Sequence, residues 1–188
     1  MVPMLAWTRR TTGVLAIVAL SAFTACGSDD PDVFVVGDST MGQIKAVTGR
    51  GSTMNGCGFT IDAPCLVPLG IDGDPDLIVA AVSVWDMNAS EIDVVEGYRN
   101  AHAKLSADAP VVWVEVPPLL GGKRGEPTPD QADALNARVA AALGCELIGW
   151  EVRDDESDDG IHYVGSGASD VAKRLDDLSD DQACASPG

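Results

Sequence analysis

Short, unbroken apolar runs separated by helical patterns constrain this chain more than any other feature. The runs are residues 33–36 (VFVV), 76–84 (DLIVAAVSV), 111–116 (VVWVEV) and 146–150 (ELIGW). A strand that is apolar at nearly every position, rather than at every second one, is buried on both faces. Helical stretches alternate with these runs at 40–47, 91–105, 129–143 and 167–178. Ser90 is a plausible N-cap for the second of them, with Ile92, Val95, Tyr98 and Leu105 on roughly one face. Thr128-Pro129-Asp130 opens the third with a capping hydroxyl, a proline at the first helical position and an acid at the positive end of the dipole; Gly144 closes it. Strand and helix alternating four times predict an α/β domain with a parallel sheet covered by helices on both faces. Residues 48–75, rich in Gly, Pro, Asn and Asp, read as one long loop. A loop of that length in a compact domain is usually functional.

The first run is followed by Gly37-Asp38-Ser39, a hydroxyl at the C-terminal edge of a buried strand. Open α/β sheets place their ligands at that edge. The same tripeptide is also an ordinary turn in which Ser39 caps the next helix. The other end of the chain bears on the choice. Of the two histidines, His102 lies mid-helix between Asn100 and Lys104 and reads as a solvated face residue. His162 lies in a loop before the last helix, three residues after Asp159. A serine hydroxyl needs an adjacent base to act as a nucleophile. Imidazole can be that base, and a carboxylate on its far nitrogen sets tautomer and orientation.

The chain has 188 residues, the size of one domain. Its first part belongs to targeting rather than to the fold. Arg9 and Arg10 precede an apolar stretch at 13–22 that is too short to span a bilayer. Phe23-Thr24-Ala25-Cys26 then looks like the lipobox of bacterial lipoproteins, with Phe23 where Leu is usual. That likeness implies cleavage after residue 25, lipidation of Cys26 and anchoring at the outer face of the bacterial cell membrane. Plain secretion, with Cys26 in a disulfide, is the other reading; both place the protein outside the cytoplasm. Residues 26–32 form a tether, 33–180 the domain and 181–188 a tail. Removing the leader would take two arginines and no acid, deepening the net charge from −17 to about −19. Such a surface repels nucleic acid, which is not an expected partner.

Without Cys26, four cysteines remain, an even set suited to an oxidising compartment. Three pairings are possible. The expected one joins Cys57–Cys65 across a loop and Cys145–Cys184 between tail and body. With two histidines and no Cys-x-x-Cys, zinc is a weak rival. The acidic run 154–159 lacks the ligand spacing of a calcium loop and reads as solvated; neither metal nor cofactor is expected.

Taken together, Gly37-Asp38-Ser39 after the first strand and Asp159-x-x-His162 before the last helix resemble the SGNH (GDSL-like) hydrolase family. Gly160-Ile161-His162-Tyr163 and Gly167-Ala168 add to the likeness, which spans about 33–178. It implies a three-layer, flavodoxin-like sandwich with Ser39 as nucleophile, His162 as base and Asp159 as orienting acid. The implied chemistry is ester hydrolysis or acyl transfer through an acyl-enzyme. The family's second block supplies a Gly N–H to the oxyanion, for which Gly56 or Gly58 could serve. Its third block reads Gly-x-Asn-Asp, but here Ser83-Val84-Trp85-Asp86 puts Trp85 where Asn would stand. Loss of one oxyanion donor costs roughly 10²–10³ in rate, and Asn88 could substitute. Trp85, Asp86 and Pro118 are expected at the substrate cleft, Trp85 as a stacking platform or else as a core residue. The expected partner is a small acyl ester or an acylated envelope glycan or lipid. The alternatives are an O-acyltransferase and a non-catalytic envelope lipoprotein that binds glycan or lipid in a degenerate cleft.

Overall fold

A computed structural model describes residues 32–60, 66–67, 70–116, 128–149, 156–157 and 162–185. Four parallel strands are found among them: β1 (Val33–Gly37), β2 (Gly51–Thr53), β3 (Leu77–Ala81) and β4 (Val111–Val114), in the order β2-β1-β3-β4. Val35 pairs with Gly51 on one side of β1 and with Val79 on the other; Val79 in turn pairs with Val112. Every residue of β1, β3 and β4 is buried, as continuous apolar runs require.

Alternate side chains divide these strands between two cores. Phe34, Val36, Ile78, Ala80, Val111 and Trp113 pack against α2 (Glu91–Leu105) and α3 (Pro129–Leu143). Val35, Val79, Ala81, Val112 and Val114 pack against α1 (Gly42–Thr48) and α4 (Ser166–Asp176). The result is the three-layer sandwich expected from the alternation. Helix starts follow the sequence signals. Ser90 accepts from Asp93 N, and Thr128 forms a reciprocal capping box with Gln131. α3 ends where Gly144 takes a positive φ of 70°.

Four expectations change. The loop at 48–75 contains β2, whose Gly-Ser-Thr sequence has no apolar run because the strand lies half-buried at the sheet edge. Among its described residues, 146–149, the run 146–150 contributes one bridge, Ile148 to Val114, between exposed Glu146 and Gly149. Ile92 is 68% exposed, because α2 instead buries Val94, Tyr98, Ala101 and Leu105, spaced by three and four residues. His102 shares that inner face and is 1% exposed, not solvated. Trp113 Nε1–H donates to His102 Nδ1 at 3.2 Å, which leaves Nε2–H to donate to the Ala185 carbonyl at 3.2 Å.

The C-terminal segment is held onto the body. Cys184 is disulfide-bonded to Cys145, and its N–H donates to Val111 O along the edge of β4. Cys57 is also in a disulfide; its expected partner Cys65 lies outside the described residues. The Cys145–Cys184 link closes a sequence separation of 39 residues. Loop-closure entropy then gives it about 4 kcal/mol. Cys184→Ser should lower the melting temperature by roughly 10 °C; a shift within 2 °C of wild type, about half a kcal/mol, would contradict this.

Candidate active site

β2 and β3 lie on opposite sides of β1, so the chain diverges between β1 and β3. In open α/β sheets this switch point makes a crevice at the C-terminal strand ends. Ser39 sits there, opening a 3₁₀ turn (Ser39–Met41) directly after β1. His162 arrives from the loop before α4, and its Nε2 lies 3.0 Å from Ser39 Oγ. The two residues are 123 apart in sequence and both are half-buried. A hydroxyl and an imidazole at that distance can exchange a proton. Asp159, the expected third member, lies outside the described residues.

Two buried carboxylates tie the loops of this edge together. Asp38, completely buried, accepts at Oδ1 from Thr40 N (2.8 Å) and Thr40 Oγ1 (2.7 Å). At Oδ2 it accepts from Ser83 Oγ (2.8 Å) and Val84 N (3.0 Å), joining the turn after β1 to the turn after β3. Asp86 does the same between the β3 turn and the segment after β2. It accepts from Phe59 N (2.8 Å), Thr60 Oγ1 (3.0 Å), Tyr98 Oη (2.9 Å) and Thr60 N (3.4 Å). Burial pushes the Asp86 carboxyl above its usual range, although these four donors pull the other way. Beside it, burial and then the Asp86 charge push the Tyr98 phenol well above its ordinary value. Gly58 is required by this packing, because a Cβ there would stand 2.0 Å from Asp86 Oδ1.

Asp86 was expected to line the substrate cleft. At 1% exposure and with four donors on its carboxylate, it is a strut beneath the cleft instead. Trp85 next to it is 55% exposed, which removes the core reading of that residue. Its turn (Val84–Asp86) is capped by Ser83 Oγ, which accepts from Trp85 N at 3.2 Å. Gly56 (φ 73°) and Asn88 are exposed on the segments after β2 and β3. Pro118 and Cys26 lie outside the described residues. Among the described residues no cluster of His, Cys, Asp and Glu could hold a metal ion. The supporting roles of Asp38, Ser83 and Tyr98 had no sequence signal; Asp38 was legible only as part of Gly-Asp-Ser.

No protein-family model and no curated protein matches the sequence. Solved structures do match its shape. A protein from Slackia heliotrinireducens, provisionally described as an SGNH hydrolase, superposes with a TM-score of 0.53 at 15% identity, over 77% of this chain and 96% of that one. The M. smegmatis aryl esterase gives 0.52 at 14% identity, over 77% and 96%. A carbohydrate acetylesterase family member from Sinorhizobium meliloti gives 0.52 at 14%, over 77% and 95%. The chain has the general SGNH-hydrolase-like α/β fold of these structures. On this SGNH scaffold Ser39 and His162 meet at the topological switch point, one from each end of the domain.

Proposed function

We propose that the protein is a serine ester hydrolase acting through an acyl-enzyme. The observation that carries this reading is the 3.0 Å approach of His162 Nε2 to Ser39 Oγ. Ser39 Oγ attacks the ester carbonyl carbon while its proton passes to His162 Nε2. The tetrahedral intermediate collapses as that proton moves to the leaving alcohol oxygen, leaving an acylated Ser39. A water molecule then gives a proton to His162 and attacks the acyl carbon; the Ser39 Oγ–carbon bond breaks as that proton returns from His162 to Oγ, releasing the acid. Asp159 is assigned to the far nitrogen of the imidazole. Gly56 and Asn88 are assigned to the oxyanion, Asn88 substituting for the amide that Trp85 replaces.

The substrate class rests on analogy and address. The matched proteins include an aryl esterase and a carbohydrate acetylesterase family member. The leader and Cys26 support a lipid-anchored protein outside the cell membrane, where acylated envelope glycans and lipids lie. Exposed Trp85 at the crevice supports a ring-bearing substrate. Trp85→Ala should then raise KM about tenfold for an aryl or glycosyl ester, equivalent to about 1.4 kcal/mol, with little change for a short alkyl acetate. Equal KM values in both variants for both substrates would remove Trp85 from the cleft.

The reading is tested by fluorophosphonate labelling of the purified protein, with the modified residue located by peptide mass analysis. A single adduct on Ser39 is the expected result. A folded protein that takes up no probe would overturn the enzyme reading in favour of a glycan- or lipid-binding lipoprotein, which the Trp85-for-Asn replacement favours.

A further inference from the structure

His162 must be set to within tenths of an ångström of Ser39, yet it lies on a loop outside regular secondary structure. The described residues on either side of it show what holds that loop. Ser157 and Tyr163 form an antiparallel bridge, and Val164 N donates to Glu156 O at 3.0 Å. Glu156 and Ser157 therefore form one side of a narrow ribbon, with Tyr163 and Val164 on the other. Tyr163 is buried against α4 and the sheet, and His162 is the next residue back along the ribbon. In an extended pair successive side chains point to opposite sides, so a seated Tyr163 turns His162 outward to Ser39.

The ribbon is fastened at Glu156, which is 1% exposed although it belongs to an acidic run. Its carboxylate takes a two-point contact from Arg174, Nη1 to Oε1 at 3.0 Å and Nη2 to Oε2 at 3.3 Å. Arg174 lies seven residues after Gly167 on α4, about two turns along the same face. Helix side chains lean toward the N-terminus, so the guanidinium reaches back over that face. Gly167 completes the seat: a Cβ there would stand 2.6 Å from both Glu156 Cα and Glu156 O. A planar fork on a buried carboxylate sets direction as well as distance, which an ammonium does not.

We propose that the Glu156–Arg174 pair positions His162 against Ser39, making both positioning residues for catalysis. This rests on the serine hydrolase reading. Their effect passes through the ribbon to the imidazole, since Glu156 is hydrogen-bonded to Val164 and His162 adjoins Tyr163 on that same ribbon. A misplacement of about 1 Å at a reacting group can cost on the order of 10² in rate.

The test measures the second-order rate of fluorophosphonate labelling at Ser39, with kcat, KM and the melting temperature, in wild type, Arg174→Gln, Arg174→Lys and Glu156→Gln. The expected result is labelling and kcat lower by about 10²-fold in Arg174→Gln and Glu156→Gln. KM should change by less than about threefold, and Arg174→Lys should recover part of the rate through its single-point contact. If the glutamine variants unfold at assay temperature, folded Arg174→Lys carries the test, with an expected loss of about tenfold in kcat. Wild-type labelling rates in the folded variants would overturn the proposal and leave the hydrolase reading intact. So would losses confined to KM. Absence of labelling in wild type would overturn both.

Discussion

Ser39→Ala should abolish covalent labelling and reduce ester turnover by roughly 10⁴–10⁶-fold, with His162→Ala falling in the same range. The two losses should not add. Once either partner is gone, the remaining one has no proton transfer to perform, so the double variant should resemble each single one. Both losses follow from one contact, 3.0 Å between groups 123 residues apart in sequence. Ser39 is half-buried and alanine removes only its hydroxyl, so Ser39→Ala should keep the wild-type melting temperature to within about 1 °C. A folded Ser39→Ala that still hydrolyses esters at even a tenth of the wild-type rate would show that the nucleophile lies elsewhere.

Asp38→Ala should be among the most damaging single substitutions for stability, costing about 3–5 kcal/mol. Four donors point at this carboxylate from two loops, and it is wholly buried. Alanine would leave the N–H groups of Thr40 and Val84 without an acceptor in a site that the fold keeps closed. Unmade buried hydrogen bonds cost more than made ones contribute, which is why the loss exceeds that of an exposed ion pair. Asp38→Asn should fall between, since its amide nitrogen can meet Ser83 Oγ but opposes the Val84 N–H. Urea melts would read both. A loss under 1 kcal/mol for alanine would mean that the loops are held by the strands alone. The same variant should lose activity in its folded fraction, because the turn carrying Ser39 and the turn carrying Trp85 are joined at this carboxylate.

The fold was legible where apolar burial is two-sided. The runs after Asp32, Asp76 and Pro110 became β1, β3 and β4, and the caps at Ser90 and Thr128 opened α2 and α3. It was illegible at the edges. β2 is a half-buried Gly-Ser-Thr whose pairing is made by backbone groups, so no side-chain pattern announces it. The expected strand at 146–150 has the composition of a strand, yet among its described residues pairs only through Ile148.

Asp86 and Trp85 make the same point within the site. As sequence, the acid looks like the polar residue of a cleft and the tryptophan like either a stacking platform or a core residue; the structure buries the first and exposes the second. Periodicity cannot decide between neighbours in a single 3₁₀ turn, because it has no full repeat to work with. Ser39 and His162 were recognisable from residue type and from the strand or helix beside each, since local chemistry needs only local sequence. Their 3.0 Å contact, the buried carboxylates that tie the loops and the Arg174 fork on Glu156 join residues up to 123 positions apart. Such pairings have no spacing rule along a chain; they exist only once the sheet has brought its loops to one edge.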